Sequence, residues 1–204
     1  MNQIDAILYI NLDHRSDRNT HILQELYRIG YTDQIIHRIP AVLRQPGALG
    51  CGLSHIKALT EALSHPEWNT VLILEDDFTI RGGLTEWSKG LIDIFSISWD
   101  VALLSYNHNY IKYHATNIDS IKRVQFSQTT SSYLIRRDYI PALLQNMKEA
   151  MYDMERFGKS HENCIDIHWT KLQPDGTWIA VVPAIGYQYD NYSDIEQRVT
   201  SYGC

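Results

Sequence analysis

The chain has 204 residues, 44% of them apolar and 21% charged, which excludes wholesale disorder and leaves room for one compact domain or at most two small ones. Lys and Arg number 18 against 24 Asp and Glu, a net charge of −6 with no basic run to offset it, so a nucleic-acid partner is set aside. Three cysteines, Cys51, Cys164 and Cys204, include no CxxC pair, which argues against a disulfide framework and a structural zinc site.

The start, "MNQIDAILYINL", has no basic leader and no small-residue cleavage site. No apolar run approaches the ~20 residues that cross a bilayer. The expectation is a soluble, cytoplasmic protein with no transmembrane segment. Ile4–Leu12 is nearly continuous in apolar residues, as suits a strand covered on both faces. A polar turn follows, then a helix from near Arg18 with Ile22, Leu23, Leu26 and Ile29 on one face. Asp17 is placed as its cap and Gly30 as its end. "QIIHRIPAV" reads as a second strand limited by Pro40.

After a loop, "RQPGALG", a helical period runs from Gly50 to His65, and Pro66 stops it. Thr70–Leu74 is a strand, "RGG" a turn, Leu84–Phe95 a helix and Asp100–Ser105 a strand. Residues 106–122 are polar and aromatic without a period, and are taken as a binding or mobile loop. "RVQFS" and "SSYLIRR" read as short strands around "QTTS". A helix is predicted over Tyr139–Met154, capped by Asp138 and with Pro141 in its first turn. "ENCIDIHWTKLQ" is predicted helical, "GTWIAVVP" a strand, and the tail from Ala184 irregular. No repeat or linker divides the chain. The pattern predicts an α/β fold with a mixed, mostly parallel central sheet flanked by helices, in one domain over residues 1–204.

The chemistry concentrates in "VLILEDDF". Ligands of open α/β sheets bind beyond the carboxyl ends of the strands, where Glu75, Asp76 and Asp77 would lie. If strand geometry continues, Glu75 and Asp77 share one face and Asp76 takes the other. Two acids on one face need a cation between them, or one keeps its proton. Mn²⁺ or Mg²⁺ suits such a pair, with waters and substrate phosphates completing the shell. Alone, "EDD" is more often a solvated acidic turn. Arg15 and Arg18 follow the first strand at the same sheet edge and suit a phosphate or the acid cluster. "GCGLSHIKAL" opens a helix on two glycines, where free N–H groups would face an anion and Ser54 and His55 would reach a ligand. Cys51, Trp169 and Trp178 read as packed residues. Tyr187, Tyr189 and Tyr192 read as stacking residues of the tail.

In order, "YINLDHRSDR", "RIPAV", "GCGLSHIKAL", "VLILEDDF", "TTSSYLIRRDYIPALL" and "PAIGYQYDNYSDI" resemble glycosyltransferase family 25, the lipooligosaccharide and collagen galactosyltransferase-like family. The resemblance runs from end to end of the chain. It implies a GT-A (Rossmann-like) fold, a UDP-sugar donor, a divalent metal and inverting transfer of a hexose, galactose or glucose, to a glycan or protein hydroxyl. It places Asn11, Leu12, Arg15 and Arg18 near the nucleotide, and Ser54 and His55 in the donor pocket. Asp77 is the first metal ligand it implies and Glu75 the second, with Asp76 on the ribose or sugar. "TTSSYLI" becomes part of the acceptor wall, and Gln188, Ser193 and Asp194 close the donor side. Where many members have a longer excursion, this chain has only the short Leu43–Gly50 stretch. That departure motivates the alternative of a catalytically degenerate, nucleotide-sugar- or glycan-binding module.

Inverting transfer needs a general base for the acceptor hydroxyl. Asp138, Glu162, Asp166, His168 and Asp190 are available. Asp166 is chosen, both for its apolar and aromatic neighbours, which favour its protonated form, and for its likeness to the family's late acidic residue. The resemblance also implies a late His or Asp as third metal ligand, a place for His168, Asp190 or Asp194, or else for water. An unrelated metal-dependent phosphohydrolase is the weakest reading, because no second dense cluster of ligands is present.

Overall fold

The computed structural model describes residues 3–193 and 198–200. The chain opens with β1 (Ala6–Asn11), α1 (Ser16–Arg28), β2 (Ile36–Pro40), α2 (Gly47–Ser64) and β3 (Thr70–Glu75). It continues through β4 (Phe78–Ile80), α3 (Leu84–Phe95), β5 (Val101–Leu103), β6 (Ile111–Ala115), β7 (Ile121–Ser127) and β8 (Ser132–Arg136). The last part holds α4 (Ile140–Phe157), α5 (Ile165–His168), β9 (Trp178–Val181), β10 (Gly186–Gln188), β11 (Asn191–Ser193) and β12 (Arg198–Thr200).

Eight strands form the central sheet in the order β2-β1-β3-β8-β5-β9-β7-β6. β2, β1, β3, β5, β9 and β6 point one way, and only β8 and β7 oppose them. The mixed, mostly parallel α/β sheet expected from the sequence is present. Its apolar runs are continuous because both faces are covered. Leu8, Val71 and Ile73 pack with Leu59 of α2 and Met147 of α4 on one side. Ile7, Leu72 and Leu74 pack with Ile22 of α1 and Trp87 of α3 on the other. Each fully buried aliphatic side chain of this kind contributes about 2 kcal/mol.

The end of α1 follows from Gly30. Its φ of 89° lies in the left-handed region, which costs glycine little. There the Gly30 N–H donates to Tyr27 O and the Tyr31 N–H to Leu26 O, satisfying two orphan carbonyls of the last turn. The start differs from expectation. Arg15 is the N-cap, with no side-chain cap, and Asp17 lies inside the first turn paired with Arg15 at 2.8 Å. Asp138 does not cap α4 either, since a 3₁₀ turn over Arg137–Tyr139 intervenes and Tyr139 takes the cap position.

Three further expectations change. α2 begins at Gly47, so Gly50 and Gly52 lie inside the helix instead of opening it. Residues 106–122 are not a loop throughout, because Ile111–Ala115 is the edge strand β6. Its exposed polar side chains hide the strand period, as an edge strand facing water permits. β7 and β8 flank "QTTS" but do not pair, being separated by β5 and β9. The tail from Ala184 is not irregular: β10 pairs with β4 and β11 with β12. No helix among the described residues is long and apolar enough to cross a membrane.

Candidate active site

β3 ends at Glu75, and the chain turns at once through Asp76 and Asp77. The turn breaks the alternation expected of a continuing strand. Arg18 reaches over from α1 and holds both aspartates, with NH1 2.9 Å from Asp76 Oδ1 and 3.0 Å from Asp77 Oδ2. Asp76 Oδ2 accepts from Asn11 Nδ2 at 2.7 Å. On the other side, Gln188 Nε2 lies 3.1 Å from Asp77 Oδ1 and 3.3 Å from Glu75 Oε2. Gln188 arrives there because β10 pairs it with Phe78, the residue after Asp77. Glu75 Oε1 accepts from Thr130 Oγ1 at 2.9 Å and lies 3.4 Å from His55 Nε2.

Burial sets the charges of these acids. It raises the pKa of Asp77 to about 7, with repulsion from Glu75 and Asp76 adding to it and Arg18 opposing it. Asp76 is also raised, by burial against the pull of Arg18 and Asn11. Burial pushes Glu75 the same way, but the His55 imidazole and the Thr130 hydroxyl bring it below the ordinary range. Three carboxylates thus face one guanidinium, and Asp77 keeps a proton until near neutral pH.

Two clefts meet at this point. The first is lined by Leu12, Arg18, Ser54, His55, Glu75, Asp76, Asp77 and Gln188, and by the stretch Ala41–Gln45. The second is lined by Thr129, Thr130, Lys159, Cys164, Ile165 and Asp166. Cys51, Glu75 and Gln188 belong to both walls. Asp166 is raised by burial and then by Glu75, while the Thr129 backbone N–H donates to it and opposes the shift. Thr129 has φ 83°, a left-handed conformation that costs a β-branched residue strain.

The structure therefore gathers most of the residues expected at the site and gives several of them a different task. Asn11 and Arg15, expected near the nucleotide, line neither cleft. Asn11 Oδ1 accepts from Arg38 Nε at 2.9 Å, and Arg15 NH1 donates to Tyr192 O at 3.1 Å. Ser54 lines the cleft, yet its hydroxyl donates to Gly50 O at 2.6 Å and accepts from Val42 N at 2.8 Å. It anchors the stretch after β2 against α2. Gly50 makes that approach possible, because a Cβ there would lie 2.5 Å from Val42 O. The glycines expected to open α2 onto an anion instead lie within the helix. His168 lines neither cleft; it is buried, and its carbonyl accepts from Asn146. Asp194 and the side chain of Ser193 lie outside the described residues.

Cys51 packs against the core, as the sequence reading has it, and its half-buried thiol also lines both clefts. The signal was available: Cys51 and His55 are four residues apart on one helix and share a face. Thr130 belongs to the "TTSSYLI" stretch expected at the acceptor wall and lines the second cleft. Arg38, Arg44 and Lys159 carried no such signal, because tertiary folding alone brings them here. Glu75 and Asp77 are hard oxygen donors converging on one point, now taken by Gln188 Nε2, a pair that fits a small divalent cation completed by other ligands. Neither Asp76 nor Asp77 belongs to a group of three clustered metal-ligating atoms among the described residues.

No family model matches the chain, and no curated protein matches it in sequence. Solved structures match its fold. A glycosyltransferase involved in the glycosylation of the major capsid of PBCV-1 superposes with a TM-score of 0.52 at 10% identity, covering 87% of this chain and 81% of that one. The glycosyltransferase GlyE of Streptococcus pneumoniae TIGR4 gives 0.50 at 11% identity, covering 89% of this chain and 46% of that one. The chain shares the GT-A-like fold of these proteins.

Proposed function

We propose that residues 1–204 form a single GT-A domain of glycosyltransferase family 25. In this reading it is a metal-dependent inverting enzyme that moves a hexose, galactose or glucose, from a UDP-sugar to a hydroxyl of a glycan or protein. The observation that carries the proposal is the position of Glu75. It stands at the carboxyl end of β3, in the wall between one cleft bearing Arg18, Asp76 and Asp77 and another bearing Asp166. Inversion requires the acceptor to approach from the face opposite the leaving group, and two clefts on either side of one carboxylate suit that requirement. The shared fold with known glycosyltransferases and the ordered motifs support the same reading.

The first cleft takes the donor. Leu12 and the stretch Ala41–Gln45 wall it, and the Arg18 guanidinium faces the diphosphate. Glu75 and Asp77 would hold Mn²⁺ or Mg²⁺, which supplies charge neutralisation for the departing diphosphate. The acceptor hydroxyl enters the second cleft, where Asp166 takes its proton. The acceptor oxygen bonds to the anomeric carbon from the side opposite the leaving group. As that bond forms, the carbon–oxygen bond to the diphosphate breaks, and its electron pair leaves with UDP. Burial suits Asp166 to this role, since a carboxylate with a raised pKa is a stronger base.

The test is hydrolysis of a panel of UDP-sugars with and without Mn²⁺. Mn²⁺-dependent release of UDP from one hexose donor is expected. No turnover and no binding across the panel would sink the reading. One observation favours the alternative, a binding module without turnover: Arg18 already neutralises Asp77 at 3.0 Å. That alternative predicts UDP-sugar binding with no release of UDP under any metal.

A further inference from the structure

Cys51, His55 and Glu75 each bring one potential ligand atom into the same small cluster. The three atoms all lie within 4.8 Å of one another. α2 supplies two of them, because Cys51 and His55 stand one helical turn apart, and the end of β3 supplies the third. His55 is fully buried, and its Nε2 faces Glu75 Oε1 at 3.4 Å without forming a well-aligned hydrogen bond. That is a costly state for a ring nitrogen unless something else occupies it. We propose that Cys51 Sγ, His55 Nε2 and Glu75 Oε1 form a site for a borderline-soft divalent cation of the zinc class, open on the cleft side to a fourth ligand.

Three features of the surroundings argue for it. The donor set is one sulfur, one imidazole nitrogen and one carboxylate oxygen, a mixture that zinc accepts and that Mn²⁺ or Mg²⁺ disfavours. The 3.4 Å between His55 Nε2 and Glu75 Oε1 matches two ligands of one tetrahedral ion with bonds of about 2.0–2.2 Å. The outer partners are those of a metal site. Tyr133 Oη lies 3.1 Å from His55 Nδ1 and can accept a hydrogen bond from it when a cation takes the Nε2 lone pair. Thr130 fixes the Glu75 carboxylate from outside at 2.9 Å. On binding, the Cys51 thiol gives its proton to solvent as the sulfur–metal bond forms, so affinity rises with pH.

The site is distinct from the Glu75–Asp77 oxygen pair but shares Glu75 with it, and it stands whether or not the chain transfers sugar. Titration of the purified full chain with Co²⁺, a coloured substitute for zinc, reads it directly. The expected result is an intense near-ultraviolet thiolate-to-cobalt band at one equivalent, bleached by added Zn²⁺. Cys51→Ala and His55→Gln each remove the band and weaken zinc binding by more than about tenfold, while circular dichroism shows them folded. Asp77→Asn keeps the band, which separates this site from the oxygen pair. Absence of the band in the wild-type protein, or its survival in folded Cys51→Ala, would overturn the proposal.

Discussion

Arg18 and Asp77 form an ion pair at 3.0 Å with side chains only 11% and 5% exposed, and the same guanidinium nitrogen also holds Asp76. One cation thus faces three acids at the end of β3. Breaking a buried pair by removing one partner leaves uncompensated charge and costs about 3–5 kcal/mol. Arg18→Met is expected to destabilise the fold by about 3 kcal/mol, read as the shift in urea midpoint at neutral pH. The direction follows because Met keeps the packing of the stem and discards only the charge. An unchanged midpoint would mean that solvent or another cation balances the acids.

Stability should also depend on pH through Asp77, and the sign can be worked out. Its pKa rises from 3.8 to about 7 in the folded chain. Between those values the folded state holds a proton that the unfolded state has released. Folding stability from this group therefore falls as pH rises across that window. Asp77→Asn, which stays neutral, removes the fall and is more stable than wild type at about pH 8. Urea unfolding of both proteins at about pH 5 and about pH 8 checks this, and parallel pH profiles would count against it. Added Mn²⁺ should lift the wild type and not the variant, since a ligand that binds only the folded state stabilises it.

Much of this arrangement was legible in the sequence, for physical reasons that can be named. β3 and α3 were readable because a two-sided apolar run and a 3.6-residue period leave few alternatives. The acids were readable because a charged cluster directly after a buried strand must emerge at the sheet edge. α2 was read three residues short because its first turn, Gly47–Leu49, has no capping side chain and begins on a poor helix former. β6 was missed because an edge strand with exposed Lys112, Tyr113 and His114 has no apolar face to alternate. The tasks of Ser54, Arg38 and Cys51 depend on contacts between distant segments, which no local pattern encodes.

Gly50 links the fold to the first cleft. A methyl group there would sit 2.5 Å from Val42 O, and backbone cannot yield as a flexible side chain does. Gly50→Ala is expected to cost about 1–3 kcal/mol by overpacking. It should also displace the Ala41–Gln45 wall and weaken UDP binding, measured by calorimetry. The neighbouring Gly52 is a contrast, because its methyl group would meet side chains and not backbone, the flexible end of Met151 at 2.1 Å and Ile165 Cγ2 at 3.0 Å. Gly52→Ala should therefore leave UDP binding closer to wild type.

Thr129 is strained at φ 83° while its N–H serves Asp166. Replacing it with glycine relieves about 1–3 kcal/mol of strain and adds back about 0.5–1 kcal/mol of unfolded-chain entropy. Thr129→Gly should come out about 1 kcal/mol more stable, yet slower in transfer, because its N–H is no longer held against the carboxylate. A thermal melt and a transfer assay on the same preparation test both halves. A variant that is more stable and equally active would remove Thr129 from the positioning role.

Asp166 and Asp77 should separate in their kinetics, because the proposed mechanism gives them different halves of the reaction. Asp166 acts only on the acceptor, so Asp166→Asn should keep UDP-sugar binding and Mn²⁺ dependence. Its transfer rate should fall by about 10²–10⁴, the usual contribution of a general base. Asp77→Asn loses a ligand on the donor side, so binding of the UDP-sugar in Mn²⁺ and turnover should fall together. The acceptor KM of the Asp166 variant should change little, since Thr130 and Lys159 still line that cleft. Measuring kcat and both KM values for each variant against one donor reads the split. A pattern in which Asp166→Asn weakens donor binding as strongly as Asp77→Asn would place both residues on the donor, and the base would then have to be sought elsewhere in the second cleft.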